Sequence, residues 1–444
     1  VGTEVSSPSI RTQPDRGTEN DVPAPLKAYM LLHNVHSKGN IRWLVRSALA
    51  FNITEMVVVA SEQSIEKEIE AELGWLEKHN SSWNVSLKNV NSLKAAKDYF
   101  EKLHVDVCGV EVAKESSPVY DPDYASKGLA SPWPFRRSTA FLLGNEHVGL
   151  LPQEFAICDY LIYIPQHSTA CASLNVAVAG NIVLHHFALY ARFQKMKTDI
   201  DKSAEAKSES QLADCQNTAA AEPLRNPSKR EAEGFHLKPY LLLDAGGKKQ
   251  EFGQIVRSAM AFNVAEIVVV GASGKGTEGK KRKLWLLGNQ GTAVHADWRF
   301  VDTLEAAKEY FHRLDVDVCG IGVAGNNLAA YDPDYVSKGL ASAWPFRRST
   351  AFMLGNEGLG LSPQQIAICD YLTYVPQYSM ATKLRPLGVE VAAIGSIALH
   401  HFALFAGFEE APKEKHGFLE TPPRGGRDRF LNPTASERAE IDRK

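Results

Sequence analysis

The feature that most constrains this chain is that much of it is written twice. Tyr120–Glu146 reads YDPDYASKGLASPWPFRRSTAFLLGNE and Tyr331–Glu357 reads YDPDYVSKGLASAWPFRRSTAFMLGNE, a difference at three of 27 positions. The same offset of 211 links Arg46 to Arg257, in RSALAFN and RSAMAFN, and Asp106-Val107-Cys108-Gly109 to Asp317-Val318-Cys319-Gly320. It holds to Pro165 and Pro376 and becomes 215 at His185-His186-Phe187 against His400-His401-Phe402, so the second copy carries four extra residues between those points. Two long copies imply a duplicated domain; a solenoid needs shorter units in larger number. The expected organisation is an N-terminal segment over 1–26, a first copy over 27–196, a linker over 197–237, a second copy over 238–410 and a polar tail over 411–444.

Composition narrows the class. Hydrophobic residues make up 44% and charged residues 23%, an ordinary globular balance. A net charge of −3 excludes a generally basic surface but leaves room for a local basic patch. No run approaches the roughly 18 apolar residues of a membrane helix, so no membrane partner is expected. The six cysteines Cys108, Cys158, Cys171, Cys215, Cys319 and Cys369 include no close pair at metal-ligand spacing, which points to a reducing, intracellular compartment and to no bound metal. Cytoplasm, nucleus and organelle stay open. Segments 1–25 and 197–236 and the tail lack apolar periodicity and are expected to be disordered. About 40 flexible residues span roughly 35 Å on average, enough to let the two copies pack together.

Within each copy, short β-rich runs alternate with amphipathic stretches. Ala28–Leu32, Glu55–Ala60, Val105–Val112, Thr139–Leu143 and Tyr160–Ile164 read as buried strands, and Ile41–Phe51, Leu93–Leu103 and Ala177–Phe193 as helices. Such alternation predicts an α/β fold with a mostly parallel sheet covered on both faces. Ligands of such sheets bind at the carboxyl ends of the strands. Two loops qualify: Gly144-Asn145-Glu146-His147-Val148-Gly149, and Gln166 through Ser173-Leu174-Asn175, where Ser173 suits a helix N-cap.

Three segments recur in a recognisable order: Asn40-Ile41…Arg46-Ser47-Ala48, then Leu143-Gly144-Asn145-Glu146…Gly149-Leu150, then Ile164-Pro165-Gln166…Ser173-Leu174-Asn175-Val176. Together they resemble the three motifs of the SpoU family of RNA ribose 2′-O-methyltransferases, in the SPOUT superfamily. The resemblance implies two tandem SPOUT-like domains, each trefoil-knotted, packed as an intramolecular pseudo-dimer. It implies S-adenosyl-L-methionine as cofactor, tRNA or rRNA as partner and an association with ribosomal particles. By the same resemblance Gly144, Asn145, Ile164, Pro165 and Leu174 match cofactor-binding positions. Asn40, Arg46, Glu146, Ser173 and Asn175 match positions tied to catalysis and to holding the reacting ribose. Arg46 is a proposed base in the family; a guanidinium rarely loses a proton, so clamping a phosphate is the alternative role. Parts of such sites come from the partner, which leaves open whether Arg46 or Arg257 serves the first copy.

The second copy departs from the pattern. Glu251 stands for Asn40, and Gly388-Val389-Glu390 for Ser173-Leu174-Asn175, after the insertion-bearing 379–387. An ionised Glu cannot donate as Asn175 does, so the second copy is expected to be inactive. The first copy also departs, with Arg42 where Gly253 keeps a glycine and Ser168 early in the third loop. The rival reading is a non-catalytic SpoU-like RNA-binding or ribosome-assembly factor. Charge divides too: 60–72 carries net −4 and 271–283 net +4, the latter supplying Lys275, Lys280, Lys281, Arg282 and Lys283, with Arg257, as candidate RNA contacts. Both segments otherwise read as solvated loops. The near-P-loop at Gly274–Lys280 lacks the Ser or Thr that magnesium needs. His185-His186 and His400-His401 read as packing or interface residues, Cys108 and Cys319 as core, and Cys171 as partly accessible.

Overall fold

A computed structural model describes residues 25–59, 63–78, 85–121, 134–146, 148–171, 173–207, 237–244, 249–271, 292–322, 328–329, 345–355, 360–377 and 389–412. The first copy contributes β1 (Ala28–Leu32), β2 (Glu55–Val59), β3 (Ser86–Val90), β4 (Asp106–Val110), β5 (Ser117–Pro118), β6 (Thr139–Leu143) and β7 (Tyr160–Tyr163). The second contributes β8 (Pro239–Asp244), β9 (Glu266–Val270), β10 (Trp298–Val301), β11 (Asp317–Ile321), β12 (Leu328–Ala329), β13 (Thr350–Leu354) and β14 (Tyr371–Tyr374). Each set forms a seven-stranded sheet, ordered β3-β2-β1-β6-β4-β7-β5 and β10-β9-β8-β13-β11-β14-β12. The described pairings are parallel, and their register repeats with the sequence: Met30 faces Met56, and Leu241 faces Ile267, each 211 positions on.

The central strands, such as β1 and β6, are apolar because both faces are covered. β1 is buried at all five positions, and its side chains alternate between two cores. Tyr29 and Leu31 join a cluster with Phe100 on one face, while Met30 and Leu32 join a cluster with Leu44, Ile182 and Phe187 on the other. That second cluster is continuous between the copies, taking in Phe262, Ile397 and Phe402. The helix Val391–Ala406 packs against both Val176–Lys207 and Lys249–Ala261. It is largely apolar because nearly every position from Ala392 to Leu404 is buried.

Two histidine pairs lie in this shared core. His185 Nε2 meets His401 Nε2 at 2.8 Å, and His186 Nε2 meets His400 Nε2 at 2.9 Å. The surrounding rings are Phe51, Tyr120 and Phe262. Burial depresses the basicity of all four imidazoles, His186 to about 3 and the others well below the ordinary value. Each pair is therefore two neutral rings in which one Nε2–H donates to the other Nε2.

Several expectations change. β3 escapes the sequence pattern because its SLKNV is mostly exposed and not apolar on alternate residues. The segment 60–72, read as a solvated loop, enters the helix Gln63–Lys78, which covers the first motif. The helix Val176–Lys207 runs past position 197, where composition points to a linker, through residues such as Ala and Lys with good helix propensity. Cys171 is buried at 1% exposure rather than accessible, whereas Cys108 and Cys319 lie in the core as expected. No described helix is long and apolar enough to cross a membrane. Cys215, the near-P-loop and the tail after 412 lie outside the described residues.

Candidate active site

The site is built at the carboxyl ends of β1, β6 and β7, with β4 standing between the last two. Ser37 caps the helix Lys38–Ala50, accepting from Asn40 N. This brings Asn40 over the loop that leaves β6. Glu146 Oε1 accepts from Asn40 Nδ2 and from Ser37 N, both at 2.9 Å, and Oε2 accepts from His36 N at 3.3 Å. Burial pushes the Glu146 carboxyl up, but the hydrogen bonds from Asn40 and the backbone outweigh it and hold the group below the usual carboxylate range. Asn175 Nδ2 donates to Asn40 Oδ1 at 3.0 Å. Asn175 Oδ1 in turn accepts from Ala177 N at 2.9 Å and Val178 N at 3.3 Å, which caps the helix Val176–Lys207. One directional chain therefore joins the three motifs and fixes which way each amide faces.

The β6 loop is shaped by its glycines. Asn145 and Gly149 exchange backbone hydrogen bonds at 2.9 and 3.0 Å, and Asn145 Nδ2 donates to Asn34 O at 2.8 Å. A Cβ on Gly144 would lie 2.6 Å from the carbonyl carbon of Gly149, so no other residue fits there without moving backbone. Gly149 has φ +67°, the left-handed region that glycine favours. Glu111, which sequence reasoning missed, accepts from Leu150 N at 2.9 Å and from Val112 N at 3.0 Å. Burial raises its pKa against those two bonds. The one available signal was that the second copy has Gly322 at that position.

The loop after β7 is gripped from the second copy. Arg257 Nη2 donates to Ser173 Oγ at 2.6 Å and to Leu174 O at 3.1 Å, while its Nε donates to Ser173 O. The guanidinium is 5% exposed, and among the described residues no carboxylate pairs with it. Burial lowers its pKa, with Cys171 nearby opposing the effect. Because Ser173 Oγ accepts from Arg257, its own proton is free to donate elsewhere. Arg46 sits differently. Its Nε donates to Glu72 Oε1 at 2.8 Å, and its guanidinium lies 5.5 Å from the centre of the Trp75 ring. On the same helix Arg42 and Lys38 pair with Glu68, so the acidic helix Gln63–Lys78 engages all three cations. Ile164 and Pro165 follow β7, with Ile164 buried.

The structure thus brings Asn40, Glu146 and Asn175 into one network, and Ser173 and Leu174 under Arg257, whereas Arg46 faces Glu72. In the second copy Glu390 stands at the start of its helix without the side-chain cap that Asn175 makes. Lys275, Lys280, Lys281, Arg282 and Lys283, Glu357 and the second copy's third loop lie outside the described residues, as does the side chain of Glu251.

Fold and site define an α/β protein with a glycine-shaped loop and a buried arginine gripping the loop after β7, at the carboxyl ends of a parallel sheet. A sequence model of the SpoU rRNA Methylase family matches residues 27–185 and again 238–394. The chain belongs to that family, and it carries the family domain twice. No curated protein is similar enough to count as a match. Among solved structures, a putative RNA methyltransferase of the TrmH family from Porphyromonas gingivalis is 22% identical, over 38% of this chain and 61% of that one, with a TM-score of 0.29. The SpoU methyltransferase AviRb from Streptomyces viridochromogenes, solved with the cofactor AdoMet, is 23% identical over 38% of this chain and 58% of its own, also at 0.29. The A. aeolicus TrmH/SpoU tRNA modifying enzyme is 19% identical over 46% of this chain and 94% of its own, again at 0.29. The chain thus spans about 60% of the first two of these relatives.

Proposed function

We propose that the protein transfers a methyl group from S-adenosylmethionine to a ribose 2′-hydroxyl of a structured RNA, tRNA or rRNA. It works as an intramolecular pseudo-dimer with one active site, in the first copy. The observation that carries this reading is Arg257, which crosses from the second copy to Ser173 and Leu174 of the first. The first copy's residues fit the cofactor. Gly144 lets the β6 loop close tightly on the backbone of Gly149, and the backbone of Ile164, Pro165 and Leu174 would hold the cofactor alongside Asn145.

The cofactor supplies an electrophilic methyl group, so the protein's task is orientation, worth roughly 7–11 kcal/mol of barrier in well-aligned systems. Ser173 Oγ–H, freed by the bond it accepts from Arg257, is placed to donate to the ribose oxygen. Arg257, a fixed planar charge whose fork reaches Ser173 and Leu174, suits the flanking phosphate. Asn40, Glu146 and Asn175 use their hydrogen-bonding groups on one another, so their role is to hold the three loops in register. The second copy, lacking the Asn175 cap, supplies Arg257 and structural support.

The test is methyl transfer from labelled S-adenosylmethionine to total tRNA and rRNA, followed by alkaline hydrolysis, which a 2′-O-methyl group blocks at its own phosphodiester. Label in alkali-stable dinucleotides is expected, lost in Asn175→Ala and kept in Glu390→Ala. Label in mononucleotides would indicate base methylation. RNA binding without transfer would favour the rival, a non-catalytic assembly factor, to which the self-contained Asn40–Glu146–Asn175 network also lends itself.

A further inference from the structure

The second copy also holds the first copy's cofactor loop through a segment outside the three motifs. Its last helix, Val391–Ala406, stops at Gly407, which takes φ +67° and returns N–H groups to the helix end. The chain then doubles back along the loop that leaves β7 of the first copy. Glu410 Oε2 accepts from Tyr163 O–H at 2.8 Å. His167 Nδ1 lies 3.0 Å from Glu409 O, so Nδ1–H donates there, and Ala411 N donates to Gln166 O at 2.8 Å. The His167 ring lies against Phe408 on this segment and Phe262 on the helix Lys249–Ala261, and His167 N donates to Ala261 O at 2.7 Å. Tyr163, Gln166 and His167 flank Ile164 and Pro165, where the proposed cofactor site begins.

Among the described residues the first copy offers the second no such turn. At the position of Gly407 it has Arg192, and its helix continues to Lys207. An arginine there cannot take the left-handed cap without strain, while Gly407 takes it freely and Pro412 shortly after discourages a restart. The two copies share HHFAL before this point, and the difference at Arg192 and Gly407 stands where one helix continues and the other turns back.

We infer that Gly407–Ala411 is a strap by which the second copy holds the first copy's cofactor loop in its binding shape, with Tyr163 and Glu410 as positioning residues. This rests on the reading above that Ile164 and Pro165 border the cofactor. It gives a catalytically eroded copy a continuing task at the other copy's site. The strap's contacts fall on backbone and on Tyr163 and His167, leaving Ser173 and Arg257 untouched, so its effect is on binding rather than on transfer.

The experiment uses the full chain and its variants Glu410→Ala, Tyr163→Phe, the double variant and Glu410→Gln. S-adenosylmethionine Kd is measured by calorimetry, and amide exchange of the 163–171 loop is followed without cofactor. Losing a hydrogen bond to a charged acceptor should raise Kd about tenfold. The expected results are similar rises in the two single variants, no further rise in the double, partial recovery in Glu410→Gln and faster loop exchange in the absence of ligand. A lowered melting temperature with unchanged Kd and unchanged loop exchange would overturn the strap while leaving the function reading intact. Failure of the wild-type chain to bind the cofactor would overturn the function reading and this one with it. Gly407→Arg, the first copy's residue, should loosen the same loop, and normal exchange there would also count against the strap.

Discussion

Acid should weaken the contact between the two copies well before it titrates carboxylates. His185, His186, His400 and His401 are buried and neutral in the shared core, with pKa values pulled below the ordinary 6.5 by desolvation. When the core opens, each regains a pKa near 6.5 and takes up a proton that the closed form refuses. Because the folded values are depressed, the stabilisation is complete above pH 6.5 and falls as pH drops below it, down to about 3 for His186. Between pH 7.5 and 5.5 the linkage costs about 1.4 kcal/mol for each histidine, and so about 5 kcal/mol for four. That is comparable with the whole stability margin of a typical protein, about 5–15 kcal/mol. Carboxylates held low, such as Glu68 and Glu146, contribute only below about pH 5, while Glu111, raised by burial, and His167, lowered by burial, act in opposite senses. The assay is urea unfolding at a series of pH values, for wild type and for His186→Leu with His400→Leu. The double variant removes one pair and should halve the pH dependence to about 3 kcal/mol. A wild-type stability flat from pH 7.5 to 5.5, or a double variant with the full slope, would refute the reasoning.

Three further outcomes follow from the geometry. Arg257→Lys keeps the charge but loses the planar fork that reaches Ser173 and Leu174 together; methyl transfer should fall about a hundredfold, and wild-type rates in that variant would remove Arg257 from the site. Arg46→Ala should instead cost stability, about 3 kcal/mol for leaving largely buried Glu72 without its cation, with transfer per folded molecule nearly unchanged; activity loss without stability loss would show that Arg46 serves the site directly. Gly144→Ala forces a Cβ to within 2.6 Å of the Gly149 carbonyl carbon, so the β6 loop must move. The expected cost is about 1–3 kcal/mol in stability together with loss of cofactor binding, and unimpaired binding would contradict the place given to that loop.

Much of this was legible in the sequence because the buried parts repeat and are apolar. Ala28–Leu32 and Thr139–Leu143 are strands with the expected bounds, since runs covered on both faces carry little else. Asn40, Glu146 and Asn175 come together as the motif order implies. The strand Ser86–Val90 and the helix Gln63–Lys78 were illegible for a shared reason: both are largely exposed or charged, and their identity depends on what they pack against. The contrast between Arg46 and Arg257 was illegible too. Both sit in the same RSA tripeptide, and only the packing of Glu72 against one and of Ser173 against the other tells them apart. The strap was within reach, because Gly407 against Arg192 is a visible difference, but the residues it touches lie 242 to 247 positions away in the chain.

The central claim is one site per chain, in the first copy and completed by the second. A calorimetric titration with S-adenosylmethionine tests it most directly, through the stoichiometry. The account predicts one molecule bound per chain, with binding lost in Gly144→Ala. Two molecules per chain would contradict it by showing that the second copy holds the cofactor despite Glu390 and its altered third loop.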